Sequence, residues 1–283
     1  MPVHPLRNDS TPSDARAWAA LFDHRQLPVL ASTVEALRDL QAVEDDVDAH
    51  LLTETVACDP LMTLKLLAHV AALRKGREGS DVETVTEALV MLGIPPFFRA
   101  FGEQQAVEAL LAVHPEAMQG FQQTLKRSHR AASFAMGFAV HRMDHDAAVI
   151  HEAALLHDFA ELLLWVRRPD LALQIQERQS ADPTLRTASV QQAVLHIDLT
   201  DLQHSLMLEW QLPSLLVQIT DDHARQVTPQ MNNVRLAIRV ARHSAQGWDN
   251  PALPDDVKDI ADLLRMGLEP TVRLLREIDD EPL

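Results

Sequence analysis

Apolar residues recur at intervals of three and four along most of the chain, which is the spacing of one face of an α-helix. In the stretch CDPLMTLKLLAHVAAL, for example, Leu61, Leu64, Ala68 and Ala71 repeat with this period. No alternation of apolar and polar residues, the pattern of a half-buried strand, competes with it. The sequence therefore predicts an all-α protein, and it shows no internal repeat that would indicate a solenoid.

Capping residues mark where several of these helices begin and end. Asp59 can accept hydrogen bonds from backbone amides as an N-cap, and Pro60 follows at the first helical position, where a missing N–H costs nothing. Gly93 and Pro95 end a later helix. The predicted helices cover residues 32–42, 49–57, 60–74, 82–92, 95–113, 115–143, 147–166, 169–179, 183–195, 199–210, 213–222, 230–246 and 255–277, the last with a break near residue 267.

Composition is consistent with one compact helical body. The chain has 283 residues, of which 47% are hydrophobic and only 8 are glycine, so it can bury a sizeable core. Residues 1–14 are polar and rich in proline, and we expect them to form a flexible arm. Six residues on apolar helix faces are predicted to be buried, and shortening them should cost roughly 2–5 kcal/mol each. They are Leu64, Leu67, Leu155, Leu156, Leu163 and Ile238.

The charge balance argues against two classes of partner. Acidic residues number 41 against 25 basic ones, which gives a formal net charge of −16. A field of that sign repels nucleic acid and anionic membrane surfaces, so we expect neither as a partner. The single cysteine, Cys58, is compatible with a reducing compartment, and no apolar run has the length of a membrane span or the form of a signal peptide. We therefore expect a cytoplasmic protein.

The apolar segment EAALLHDFAELLLW, residues 152–165, contains two adjacent polar side chains, His157 and Asp158. This segment resembles the His-Asp helix of the HD superfamily of metal-dependent phosphohydrolases, and the wider pattern is similar to the HDOD domain, a signalling relative of those enzymes. The other segments that carry the resemblance are QLPVL at 26–30, CDPLMTLKLLAHVAAL at 58–73, VETVTEALVMLGI at 82–94 and LEWQLPSLLVQITDDH at 208–223. Together they extend over most of the chain.

The resemblance implies a site at which a divalent metal would be held by four positions on different helices. His157 and Asp158 match the adjacent pair of ligands, and the first ligand falls on either Ser128 or His129. The last ligand, an Asp in the family, falls on Arg242. A guanidinium cannot ligate a metal and repels one that approaches. The ligand set is therefore incomplete, and we expect no bound metal, no other cofactor and no catalytic residue.

Other positions also depart from the family patterns. The chain has no tyrosine, which excludes the Gly-Tyr-Pro signature of the related cyclic dinucleotide phosphodiesterases. A further family His falls on Leu199, and the last one is reduced to His223 followed by Ala224. The Asn-Ser pair typical of HDOD domains is replaced by alanines at 71 and 72. A second metal would have few ligands.

The residues around the pair predict how the two side chains are accommodated without a metal. Glu161 lies one turn after His157 and could hold the imidazole. Asp158 in an apolar layer needs a fixed cation or several donors. Arg242 is the candidate, and we predict a guanidinium–carboxylate contact between Arg242 and Asp158, whose loss would cost about 3–5 kcal/mol.

The resemblance implies an HDOD/HD-like helical bundle of two packed lobes, an N-terminal lobe at 15–115 and a degenerate HD-like lobe at 116–280. It also implies a non-catalytic regulatory module in bacterial signal transduction that binds a protein partner or a small ligand. The alternative is a metal-dependent phosphohydrolase with an altered ligand set around His157 and Asp158. A third possibility is a purely structural helical scaffold, which would have no pocket at this pair.

Overall fold

The computed structural model describes residues 11–75, 82–182 and 184–280, and regular structure within these ranges is helical. The predicted all-α class is confirmed. The first half contains α1 (Ala15–Ala19), α2 (Ala31–Ala42), α3 (Ala49–Ala57), α4 (Pro60–Arg74), α5 (Val85–Leu92), α6 (Ile94–Phe101) and α7 (Val107–Leu111). The second half contains α8 (Pro115–Arg142), α9 (Ala147–Leu155), α10 (Phe159–Arg167), α11 (Pro169–Ala181), α12 (Thr187–Leu195), α13 (Leu199–Glu209), α14 (Ser214–Ile219), α15 (Pro229–His243), α16 (Leu253–Leu264) and α17 (Leu268–Asp280).

The predicted cap at Asp59 does more than start α4. One carboxylate oxygen accepts hydrogen bonds from the backbone amides of Leu61 and Met62, at 2.9 and 3.1 Å. The other accepts from the amide of Leu30, at 2.7 Å, and from the hydroxyl of Thr33, at 2.8 Å. The side chain is fully buried, and its four donors offset the cost of burying it. Asp59 therefore fixes the start of α2 against the start of α4.

Helix α8 is the long central helix, and it packs most extensively against α15 and α9. It also contacts α10, where Gly120 faces the ring of Trp165 so closely that a Cβ atom at this position would overlap the indole. The indole nitrogen of Trp165 donates to the hydroxyl of Thr124, at 3.2 Å. The close approach brings the α8 turn that carries Arg127 towards the start of α10.

Helix α1 packs against α13, far along the sequence. Trp18 is fully buried, and its indole nitrogen donates to the carbonyl of Leu195, at 3.0 Å. The division into lobes at 15–115 and 116–280 stays a prediction, and this contact joins the start of the first to the second. Most of the predicted arm, residues 1–10 of 1–14, lies outside the described residues.

A second link between the halves is Glu152 of α9. One of its carboxylate oxygens accepts a hydrogen bond from the amide of Val85, the first residue of α5, at 2.8 Å. The side chain is buried, and burial raises the pKa of this carboxyl to about 8.

Two stretches predicted as single helices are broken. The stretch 95–113 forms α6 and α7, because the chain between them turns to pair with Val29, which donates to the carbonyl of Gln105 and accepts from the amide of Val107. The stretch 147–166 forms α9 and α10, and His157 and Asp158 lie in the turn between them rather than inside a helix. Among the described residues, no helix is both long and apolar enough to cross a membrane.

The six residues predicted to be buried are all in the core, with exposures of 5% or less. Leu156 is fully buried at the end of α9. We expect Leu156→Ala to lower the free energy of unfolding by at least about 2 kcal/mol, because it removes buried methyl groups and leaves a cavity. Chemical denaturation measures this, with the exposed Leu208→Ala as control. An unchanged midpoint for Leu156→Ala would contradict the assignment of this turn to the core.

Candidate functional site

The carboxylate of Asp158 lies at the meeting point of three helices. Arg127 of α8 donates from Nε to Oδ2, at 2.7 Å, and Arg242 of α15 donates from Nη2 to Oδ1, at 2.8 Å. His157 approaches the same Oδ1 atom with Nδ1, at 3.1 Å. Asp158 begins α10, yet its side chain makes no capping hydrogen bond to the helix. The carboxylate is thus free to bind the two guanidiniums.

Arg127 also binds a second carboxylate. Its Nη2 atom donates to Oε2 of Glu161, at 2.7 Å, one turn further along α10. The other oxygen of Glu161 accepts from the hydroxyl of Thr124, also at 2.7 Å. Thr124 and Arg127 lie one turn apart on α8, as Asp158 and Glu161 do at the start of α10, so the two helices are joined along matching faces.

His157 is held by a carboxylate on each side. Its Nδ1 atom contacts Asp158, and its Nε2 atom contacts Oδ2 of Asp222, at 3.3 Å. Ionised carboxylates only accept hydrogen bonds, so both ring nitrogens must donate, which requires the imidazolium form. Burial opposes the charge, but the hydrogen bonds to Asp158 and Asp222 raise the pKa of His157 above its ordinary value.

Cations outnumber carboxylates in the network. Arg127, His157 and Arg242 face the carboxylates of Asp158, Glu161 and Asp222, and Arg235 lies 3.8 Å from Asp222 at the edge of the network. Burial opposes ionisation of Asp158, yet the charges of Arg127 and Arg242 hold the pKa of that carboxyl well below its ordinary value. The carboxylate is therefore ionised and fully paired.

These residues do not fit the metal that the family resemblance implies. A divalent ion needs free lone pairs on Asp158 and a neutral imidazole on His157. Both oxygens of Asp158 instead accept from guanidiniums, and both nitrogens of His157 face carboxylates. Across the described ranges, no group of three or more His, Cys, Asp and Glu side chains is arranged to hold a metal.

The predicted contact between Arg242 and Asp158 is present in the structure. The exposure of Arg242, however, lowers the cost that we expect for its removal. Its side chain is 49% exposed, and Asp158 would keep Arg127 as a partner. An exposed guanidinium contributes little, and we now expect its loss to cost about 0–1 kcal/mol.

Four other predicted site residues have different surroundings. Glu161 does not hold His157, because the helix breaks between them and Glu161 faces Arg127 and Thr124 instead. Ser128 is buried and donates to the carbonyl of Thr124, whereas His129 contacts the carbonyl of Cys58 at 2.8 Å. His223 is exposed and pairs with Asp201. Ser128 and His129, the two candidates for the first ligand, therefore bind other partners, and Asp158 is bound by Arg127 instead.

Two residues of the network, Arg127 and Asp222, were missed by the sequence reasoning. Arg127 directly precedes the two candidates for the first ligand, and its spacing of three from Thr124 places both on one helix face. That spacing was the available signal. Asp222 follows α14 in a segment without regular structure, where no periodicity predicts which way a side chain points.

His157 gives the fold a dependence on pH. Its pKa is raised in the folded state, so its contribution is fully present below its unfolded pKa of about 6.5 and is lost as pH rises through the folded value. We expect the wild type to lose more stability than His157→Gln between about pH 6 and about pH 9. Denaturant titrations of both proteins measure the difference. Both proteins contain Glu152, whose pKa is about 8, so its contribution cancels when their stabilities are compared. An equal loss of stability in the two proteins would contradict the imidazolium form of His157.

A cavity of about 300 Å³ opens beside the ion pairs, between α10, α12, α13 and α15. Arg127, His157, Asp158 and Arg242 form one side of it. A second cavity of about 450 Å³ adjoins it along α8, α10 and α11. A purely structural scaffold would lack such an opening at the His-Asp pair.

Comparison with known proteins supports the interpretation of the fold. Among solved structures, the MmoQ response regulator from Methylococcus capsulatus strain Bath is similar, with a TM-score of 0.66 and 19% identity over 89% of this chain and 98% of that one. A virulence factor, cj0248, from Campylobacter jejuni subsp. jejuni has a TM-score of 0.60 and 18% identity over 84% and 85% of the two chains. An HDOD domain protein with unknown function from Geobacter sulfurreducens has a TM-score of 0.50 and 15% identity over 94% and 96%.

Identities this low show likeness of fold alone. A search of curated proteins found no match. The family model of the HDOD domain, however, matches residues 27–226, well over half of the chain. The match includes Arg127, His157, Asp158 and Asp222, and it ends before Arg242. The chain therefore belongs to the HDOD domain family.

Proposed function

We propose that the protein is a non-catalytic HDOD regulatory module in bacterial signal transduction, which acts in the cytoplasm by binding a protein partner or a small ligand. Family membership supports a signalling role, and a similar fold occurs in a protein named as a response regulator. Fold likeness alone does not establish activity, so the proposal depends on the chemistry of the His-Asp site.

The observation that carries the proposal is the closed ion-pair network at Asp158. A hydrolytic HD site would need a metal to activate water. Here the position where a cation would contact Asp158 is taken by Arg127 on one oxygen and Arg242 on the other. The network joins α8, α10 and α15 instead of activating water. What the site retains is a cavity beside a rigid cluster of charges, which suits recognition better than turnover.

Phosphoester hydrolysis tests the proposal. The full chain is assayed with p-nitrophenyl phosphate and bis(p-nitrophenyl) phosphate in the presence of Mn²⁺ or Mg²⁺, beside Asp158→Asn and the exposed control Asp170→Ala. We expect all three proteins to show only the background rate. Metal-dependent turnover in the wild type and in Asp170→Ala that disappears in Asp158→Asn would overturn the proposal and establish the phosphohydrolase.

A further inference from the structure

The wall of the cavity beside the ion pairs carries an amide without a protein partner. Gln203 of α13 lines this cavity and is only 4% exposed. Its side chain makes no hydrogen bond to any of the residues that the structure describes. The amide atoms of Gln203 stay accessible from the cavity. They can therefore donate to and accept from a polar group that enters it.

A second amide lies on the same wall. Gln191 of α12 is 7% exposed and lines both cavities. Its Oε1 atom accepts from the amide of Leu199, at 3.1 Å, which fixes the orientation of the side chain. The Nε2 atom of Gln191 has no acceptor within the described part of the chain. The two glutamines thus offer donors and an acceptor on adjacent helices.

The charges around the cavity favour an uncharged occupant. Each guanidinium that borders the cavity, Arg127 or Arg242, is already paired with Asp158. Asp198, another lining residue, adds a negative charge and is held by the amide and hydroxyl of Thr200. An anion such as phosphate would meet no unpaired cation, and a cation would meet Arg127 and Arg242.

The adjoining cavity provides an apolar wall. It is lined by Leu164 and Trp165 of α10 and by Ala172 and Ile175 of α11. The indole of Trp165 is fixed by its hydrogen bond to Thr124. Rigid apolar walls with a few placed polar groups are typical of sites for small ligands, and an aromatic surface favours a flat ring.

We propose that the two cavities form one cleft that binds an uncharged, planar small molecule with a lactam or carboxamide edge. The edge pairs with the amides of Gln203 and Gln191, and the ring extends towards Trp165. The inference rests on the proposed function, because it assigns a ligand class to that regulatory module.

Binding of two probe pairs tests this assignment. Uracil and nicotinamide carry the edge, whereas 1,3-dimethyluracil and N,N-dimethylnicotinamide have the same rings without N–H donors. Saturation-transfer NMR and calorimetric titration of the full chain are expected to detect uracil or nicotinamide but not the methylated partner. Gln203→Leu should weaken this binding at least about tenfold, and the exposed Gln174→Leu should leave it unchanged. If Gln203→Leu does not fold, Gln203→Glu takes its place. This variant keeps the shape of the side chain but loses its N–H donors, so it should also weaken binding.

Three outcomes would overturn the assignment: no saturation by either probe up to about 10 mM, equal binding of the methylated probes, or unchanged binding in both Gln203 variants. The same preparations are assayed for phosphoester hydrolysis. If binding fails and no hydrolysis is found, the ligand class is wrong and the regulatory module stands. Asp158-dependent hydrolysis would overturn the regulatory module, whether or not the probes bind.

Discussion

Replacing Arg127 with Met should lower the free energy of unfolding by about 3–5 kcal/mol, the usual cost of breaking one half of a buried ion pair. The arginine is the partner of two carboxylates, on Asp158 and Glu161. Asp158 is only 9% exposed and cannot turn to solvent. Met keeps most of the apolar stem, so the loss measures the charge and its hydrogen bonds rather than packing.

Arg242→Met is the matched control for this experiment. It removes the other guanidinium from Asp158, but its side chain is half exposed, and Arg127 still holds the carboxylate. Denaturant titration at neutral pH should therefore separate the two variants by at least about 2 kcal/mol. Equal losses would mean that Arg127 does not dominate the network.

Replacing Trp18 with Ala is expected to cost about 3–5 kcal/mol, because a fully buried indole is removed and a cavity is left. Trp18 lies outside the family match, which begins at residue 27, yet it packs α1 against α13 and binds the carbonyl of Leu195. The result therefore tests whether α1 is part of the folded body.

Trp18→Phe separates the two contributions of this residue. It retains most of the apolar surface and loses the hydrogen bond to Leu195, so we expect a smaller cost than for Trp18→Ala, about 1–3 kcal/mol. Thermal or chemical unfolding measures both variants. A Trp18→Ala protein as stable as the wild type would show that α1 is not docked in solution.

Much of the fold was predictable from local signals. Helices α3 and α4 have the predicted bounds, since Asp48 and Asp59 cap them and apolar spacing defines their faces. The break at the His-Asp pair was not predictable in this way. The apolar run continues from α9 into α10 without a glycine or a proline, so periodicity alone could not show that the helix axis changes there.

The candidate site was predictable only in part. Arg242 was found because the resemblance places it where a metal ligand is lost, and because a buried carboxylate needs a cation. Arg127 of α8 binds the same carboxylate, although it lies 31 residues before Asp158 in the chain. Contacts of this kind depend on how helices pack. A helical pattern predicts which face of a helix is buried, but it does not predict which other helix packs against that face.

Calorimetric titration with Mn²⁺ tests most directly whether Asp158 is bound by arginines rather than by a metal. The full chain is freed of metal and titrated beside Asp158→Asn, both at neutral pH. We predict that the two proteins give the same heats, with no saturable site that depends on Asp158. One equivalent of Mn²⁺ bound by the wild type and lost in Asp158→Asn would contradict it.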